Sequence, residues 1–438
     1  MFGFTPDYFK YSEDFFSAYL KDNIGNPKSE FYIPTMVNKL VADGKAQLRV
    51  LHSAAQWFGV TYKEDRPAVV ERIRKLIAAG VYPDNSGHSP AKALETMEIE
   101  QNIWGFTAEG EAIVLYKMTN AGGASVKLTN IGATVVSVEV PDRDGRLANV
   151  ALGYDDFKSY FGDGPCMGKT VGRFANRIRG AKFTLDGRHH THGGGINGFA
   201  NKIWESRVET DRVVFSLFSP DGDQGYPGDL NAEVVYDWSD DCELEITYYA
   251  KTTAPTIINL TNHSYFNLKG EDRPGAMDQL LQINGSKYLR YDADCVCTGE
   301  LVDVKGTPMD FSEPKALSAE IDADYEPLRF GSGYDQSWAI DGYEKGKLSE
   351  AGVLYDPQSG RRMRIRTTQP SIHIYAGNYL EGCPQSISGH PYGRRAGVAI
   401  ECQAYPNSPN CPGFPSTVLR PGEIYNEKIV FRFETDAN

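Results

Sequence analysis

Val135-Val-Ser-Val-Glu-Val140 runs straight into Pro141-Asp-Arg-Asp-Gly145. The first stretch sends β-branched residues to alternate faces, the period-two signature of a strand. The second is a cluster of residues that fix or release backbone angles in turns. The same pairing of a short alternating run with a break recurs downstream. It appears at Arg212 to Ser219, Ala232 to Trp238, Cys242 to Ala250 and Thr256 to Leu268. It returns at Arg362 to Thr368, Ser371 to Tyr379, Val398 to Gln403 and Ile429 to Phe433. Long helical patterns are nearly absent after residue 100, so the crossover helices that a parallel sheet requires have no source. The expectation is a mainly β protein, a large antiparallel β-sandwich.

Before residue 90 the period is helical. Ser12 caps a run carrying Phe15, Phe16, Tyr19 and Leu20, and a second run carries Met36, Val37, Leu40 and Val41 before Gly44. Asp65 caps a third, with Pro67 in its first turn, Val69, Val70, Ile73, Leu76 and Ile77 on one face, and Gly80 at its end. Residues 46–51 read as a strand. Three units follow: a small α/β appendage over 1–85, a linker over 86–98 rich in turn-formers, and the sandwich over 99–438.

Composition narrows the partners. The chain has 438 residues, 41% hydrophobic and 24% charged, which suits a folded domain with a sizeable core. Asp plus Glu outnumber Lys plus Arg, 58 to 45, for a net charge of −13. That balance argues against nucleic acid or an anionic membrane as partner. There is no apolar run of spanning length and no signal-peptide pattern at Met1-Phe-Gly-Phe-Thr-Pro-Asp7, and seven sparse cysteines suit a reducing compartment. The expected location is the cytoplasm.

The chemistry-bearing residues are few. Eight histidines are present, and His189, His190 and His192 fall together before three glycines. His263 lies in Asn259-Leu-Thr-Asn-His-Ser-Tyr-Phe-Asn-Leu268, polar where a sandwich strand would alternate. His373 sits in Ser371-Ile-His-Ile-Tyr375, where a satisfied structural role is the simpler reading. Glu401 interrupts Gly397-Val-Ala-Ile-Glu-Cys-Gln403, a run apolar on both faces. A buried carboxylate is costly without a partner, which makes Glu401 a candidate general base. Asp335 follows Gly331-Ser-Gly-Tyr334, where it either closes a turn or binds, and Arg173 and Arg177 flank Phe174-Ala-Asn176 as salt-bridging or binding groups. Cys295 and Cys297 share a strand face but have no second pair, and His190 and His192 have no carboxylate nearby, so no metal site is expected. Neither a phosphate loop nor a nucleophile elbow is present. The residues point to a cofactor-free acid–base site of His and Glu.

Taken in order, several motifs from about residue 100 to 435 resemble the galactose mutarotase (aldose 1-epimerase) family. They are Pro141-Asp-Arg-Asp-Gly145, Gly172-Arg-Phe-Ala-Asn-Arg-Ile178, His192-Gly-Gly194, Leu260-Thr-Asn-His-Ser-Tyr-Phe-Asn-Leu268, Thr298-Gly-Glu300, Gly306-Thr-Pro-Met-Asp-Phe311, Gly333-Tyr-Asp335, Glu401-Cys-Gln403 and Pro406-Asn-Ser-Pro-Asn410. The resemblance implies a galactose mutarotase-like supersandwich that interconverts the α and β anomers of free aldohexoses, galactose and glucose, without a cofactor. It implies Glu401 as the base at the anomeric hydroxyl, His263 as the acid at the ring oxygen and His192 as a second histidine there, with His190 the other candidate for that place. Asn176, Arg177, Tyr265, Asp335 and His373 fall at positions implied to bind sugar. The chain departs from the family in three places. Leu185-Asp-Gly187 is followed almost at once by Arg188-His-His-Thr-His192, Gln336-Ser337 replaces the usual His-Asn, and His373 replaces a position often filled by glutamine. A non-catalytic sugar-binding protein and a hexose-6-phosphate 1-epimerase are the other readings, the latter drawing on Arg394 and Arg395.

The appendage carries a second resemblance. Phe31-Tyr-Ile-Pro34, Trp57-Phe-Gly-Val-Thr-Tyr-Lys-Glu-Asp65 and Gly80-Val-Tyr-Pro83 resemble the C-terminal tail of bacterial sugar-phosphate nucleotidyltransferases. The nucleotide-binding part of that family is absent, which implies no nucleotidyl transfer by this chain alone and a docking or dimerisation segment or a gene-fusion remnant.

Overall fold

The computed structural model describes residues 97–191 and 195–436, with isolated positions between 16 and 43. The chain divides into two compact units, Met1–Ala91 and Lys92–Asn438. In the first, Phe16, Ser17, Tyr19 and Lys21 are helical, as are Val37, Lys39 and Leu40. Val37 and Leu40 are buried at one-turn spacing. The expected third helix, the strand over 46–51 and the 86–96 part of the linker lie outside the described residues.

The second unit is antiparallel β throughout its strand pairs. Among the described residues the strands form a five-stranded, a nine-stranded and a six-stranded sheet, with three two-stranded ribbons. The five-stranded sheet is a meander over Glu98–Phe106, Ala112–Thr119, Ser125–Thr129, Thr134–Pro141 and Leu147–Asn149. Its last turn is the Pro-Asp-Arg-Asp-Gly segment. There Asp142 Oδ1 accepts from the backbone N–H groups of Asp144 and Arg146, both at 2.9 Å, and Gly145 takes a φ of 79°. The sheets share one core. Val126 and Val138, Val213 and Ile246, and Ile374 and Ile400 all belong to it, and Phe266 and Phe431 meet across sheets with centroids 5.0 Å apart. Each such side chain contributes about 1.5–3 kcal/mol by burial. No described helix is long and apolar enough to cross a membrane.

The expected strand ends hold within a few residues for most elements. Arg212–Ser219 and Val398–Gln403 have the expected bounds, while the last strand extends to Tyr425–Thr435. The run from 256 to 268 differs. It is three two-residue pieces, Thr256–Ile257, Thr261–Asn262 and Tyr265–Phe266, and each pairs with a different partner. Its asparagines replace ladder bonds with side-chain bonds. Asn259 Nδ2 donates to the Ala175 carbonyl at 3.2 Å and its Oδ1 accepts from Ala404 N–H at 2.8 Å. Asn262 Nδ2 donates to the Gly168 carbonyl at 2.9 Å. The polar crowding around His263 is thus partly scaffold. Cys295 and Cys297 do not share a strand either, since Cys295 sits in a turn with φ 54° and the strand begins at Cys297.

Glu427 gives a stability prediction. Burial outweighs its bond from Thr368 Oγ1 (2.5 Å), so its carboxyl is pushed up to about 7. The protonated form is therefore favoured by the fold: the stabilisation is complete below the unfolded value of about 4.3 and fades as pH rises through 7. Glu427→Gln is expected to be about 2 kcal/mol more stable than wild type at roughly pH 8 and nearly neutral at roughly pH 4. Thermal melts at the two pH values test it, and an equal effect at both would overturn the linkage.

Candidate active site

Three neighbouring strands of the six-stranded sheet, Asp335–Ala339, Ser371–Tyr375 and Val398–Gln403, build the site by alternation. Ile372, Ile374, Ile400, Cys402 and Trp338 enter the core from one face. Period two therefore sends Asp335, Ser337, His373, Tyr375, Ala399 and Glu401 to the other. Register places His373 opposite Glu401, Ser337 opposite His373 and Asp335 opposite Tyr375. Tyr265 pairs with Ala399 at the neighbouring position.

Of these, Tyr265, Asp335, His373, Tyr375 and Glu401 line a cleft of about 690 Å³. Its other walls include Pro165, Cys166, Asn176, Arg177 and Tyr379. His263 enters from the broken segment, fixed by bonds of its own N–H to the Lys169 carbonyl (2.8 Å) and of Gly168 N–H to its carbonyl (3.0 Å). Its Nε2 lies 3.3 Å from Glu401 Oε1, with side chains 18% and 6% exposed. An imidazole and a carboxylate this close, sheltered from water, are able to divide one proton between them.

The same sheet face, with Arg177 beside it, carries the polar anchors. Asp335 Oδ1 is 3.0 Å from His373 Nε2, and its Oδ2 is 3.5 Å from the half-exposed Arg177 Nη2. Burial opposes ionisation of Asp335, but the bond and close approach of His373 and the charge of Arg177 prevail and hold its carboxyl below the usual value. Asn176 adopts φ 64°, tolerated by asparagine, and its Oδ1 accepts from Arg177 N–H at 2.8 Å. Tyr265 is buried, its ring 5.1 Å from that of His263, and its hydroxyl donates to the Pro165 carbonyl at 3.1 Å. It thus offers the cleft a ring face and not a free hydroxyl.

His263, Glu401, Asn176, Arg177, Tyr265, Asp335 and His373 are thereby brought together. His192 lies outside the described residues. His190 stacks on Phe183 at 5.0 Å and is not among the described residues lining the cleft. Arg173 turns away from the cleft, donating to the carbonyls of Pro227 (2.9 Å), Gly228 (3.0 Å) and Ser219 (3.1 Å). Arg173→Ala is expected to lower stability by about 3 kcal/mol, because these carbonyls lose a shared donor. Chemical denaturation tests this, and a loss below about 1 kcal/mol would show the network to be dispensable. Tyr375, two residues beyond His373, is a wall residue that sequence reading passed over although period two places it there, and Pro165, Cys166 and Tyr379 carried no comparable signal.

The aldose 1-epimerase family model matches residues 114–432, and the chain belongs to that family. It is 36% identical over 317 residues to the galactose mutarotase of Bos taurus, covering 70% of this chain and 90% of that protein. It is 35% identical over 337 residues to the aldose 1-epimerase of Escherichia coli (strain K12), covering 74% and 96%. The crystal structure of galactose 1-epimerase from Lactobacillus acidophilus NCFM superposes with a TM-score of 0.68 at 26% identity, covering 78% of this chain and 99% of that one.

Proposed function

We propose that the chain is an isomerase that interconverts the α and β anomers of free aldohexoses, galactose and glucose, by opening and closing the ring. The observation that carries this reading is the 3.3 Å approach of His263 Nε2 to Glu401 Oε1 in a cleft walled by Arg177 and Asp335. Glu401 starts as carboxylate and takes the proton of the anomeric O1 hydroxyl. His263 starts protonated and gives its proton to the ring oxygen as the C1–O5 bond breaks. The free aldehyde rotates about C1–C2. The O5 hydroxyl then attacks the other face of C1, returning its proton to His263 while O1 regains its own from Glu401. Positioned transfers of this kind supply roughly 10²–10⁴-fold each.

Asp335 and Arg177 hold sugar hydroxyls through a planar carboxylate and guanidinium, with Asn176 beside them and the Tyr265 ring behind His263. Asp335→Asn is expected to raise KM about tenfold while kcat changes less than about threefold. Initial rates over a range of galactose concentrations separate the two, and a selective fall in kcat would move Asp335 from binding to chemistry. A phosphate-bearing substrate is disfavoured because neither Arg394 nor Arg395 is among the described residues lining the cleft, Arg394 donating to the Ser332 carbonyl at 3.0 Å and Arg395 held by Asp322 at 2.9 and 2.6 Å. Polarimetry with fresh α-D-galactose and α-D-glucose tests the whole proposal, and equilibration no faster than buffer would end it. We also infer a cytoplasmic location, supported by seven free cysteines of which Cys297, Cys402 and Cys411 are buried. For residues 1–85 we infer a docking or dimerisation role of the kind implied by nucleotidyltransferase tails, supported by the assignment of every cleft residue named above to the second unit.

A further inference from the structure

From Asp335 a chain of hydrogen bonds runs inward from the cleft through His373. His373 is 2% exposed, and both its ring nitrogens are engaged within the protein. Nε2 lies 3.0 Å from Asp335 Oδ1, and Nδ1 lies 2.8 Å from Ser337 Oγ. Ser337 Oγ is in turn 2.9 Å from the hydroxyl of Tyr291, itself buried. One neutral arrangement satisfies every group. Tyr291 O–H donates to Ser337 Oγ, Ser337 O–H donates to His373 Nδ1, and His373 Nε2–H donates to Asp335. The other neutral tautomer would set the Nε2 lone pair against the carboxylate.

We propose that His373 is a positioning residue that acts on the sugar through Asp335, is held in its donor tautomer by Ser337 and Tyr291, and so sets the pH below which the cleft loses its grip on sugar. The inference rests on the anomer-exchange reading for its substrate and on the hydrogen-bond chain for its geometry. Occupying Oδ1 from behind leaves Oδ2, beside Arg177, as the oxygen presented to a hydroxyl. The donor also keeps a nearly buried carboxylate ionised against the cost of burial. The charged and titratable groups around the pair are Arg177, His263, Tyr375, Cys295 and Tyr291 near Asp335, with Glu401 opposite His373 in register. Of these, only Arg177 and His263 add positive charge at Asp335, and neither occupies Oδ1.

The sign follows. Without the His373 donor, burial dominates at Asp335 and its carboxyl takes up a proton at higher pH. A protonated Asp335 presents a much weaker acceptor to the sugar hydroxyl, so KM rises as pH falls. His373→Leu is expected to raise KM for galactose about tenfold near neutrality. It is also expected to move the acid limb of 1/KM upward by about one pH unit or more, with kcat within about threefold. His373→Gln, which keeps an N–H donor, is expected to recover most of both effects. Ser337→Ala, a small change should the leucine variant fail to fold, is expected to shift the limb in the same direction by less. An unmoved acid limb in both His373→Leu and Ser337→Ala, or a loss confined to kcat, would overturn the proposal. The Asp335 carboxyl carbon, followed by NMR across the same pH range, gives a readout independent of turnover. If wild type fails to outpace buffer yet the Asp335 titration still moves upward in His373→Leu, the functional reading falls and the positioning role stands. An unmoved titration sinks the positioning role whatever the turnover.

Discussion

Glu401→Gln is expected to bring anomer exchange down by roughly 10³–10⁴-fold, close to the rate in buffer. The amide keeps the shape of the carboxylate, so the fold and the cleft are retained, but it no longer accepts a proton from O1. The consequence is specific because Glu401 is 4% exposed and stands at the centre of a strand whose alternate residues Ile400 and Cys402 are in the core. No neighbouring strand position offers a second carboxylate on the same face, since Ala399 and Gln403 flank it at i±2. Galactose affinity measured by calorimetry is expected to stay within about threefold of wild type, which separates lost chemistry from lost binding. A variant retaining more than about a tenth of wild-type kcat would remove Glu401 from the role of base.

His263→Asn is expected to cost roughly 10²–10³-fold in kcat and to change the shape of the pH profile. In wild type, kcat/KM is expected to fall on the alkaline side, where the acid lacks the proton it must donate. The asparagine variant has no such proton, so that limb should flatten. The backbone bonds of His263 to Lys169 and Gly168 do not involve the ring and survive the change. Among the described residues His263 Nδ1 has no hydrogen-bond partner, so the substitution disrupts no described side-chain bond on that side. Rates in several buffers across pH 5–9, roughly, provide the check. A bell-shaped profile unchanged in the variant would place the acid elsewhere.

The sheet half of this site was legible as pattern. Val398–Gln403 is apolar on both faces until Glu401, and the break in that pattern is itself the signal. Asp335 and His373 follow from the same alternation once their strands are known. The pairing of His373 with Asp335 was not legible, because register between strands 36 residues apart is a tertiary property that local period does not encode. The segment from 256 to 268 misleads for a related reason. Its alternation is real, yet three partners from distant parts of the chain divide it, and its asparagines supply the bonds a continuous ladder would have made. Arg173 and Arg177 show the limit most plainly. They are four residues apart in one motif, and only burial distinguishes the arginine that braces carbonyls from the one at the mouth of the cleft.

The direct approach of His263 to Glu401 has a thermodynamic consequence. In the proposed cycle the pair lends one proton and borrows one, and after closure each group is back in its starting form. Each passage is electrically neutral and draws nothing from the buffer. A centre that resets itself in this way retains no memory of which anomer entered, so it cannot drive flux toward either. It only shortens the time to their natural ratio, and the direction of net conversion belongs to whichever neighbouring reaction consumes one anomer first.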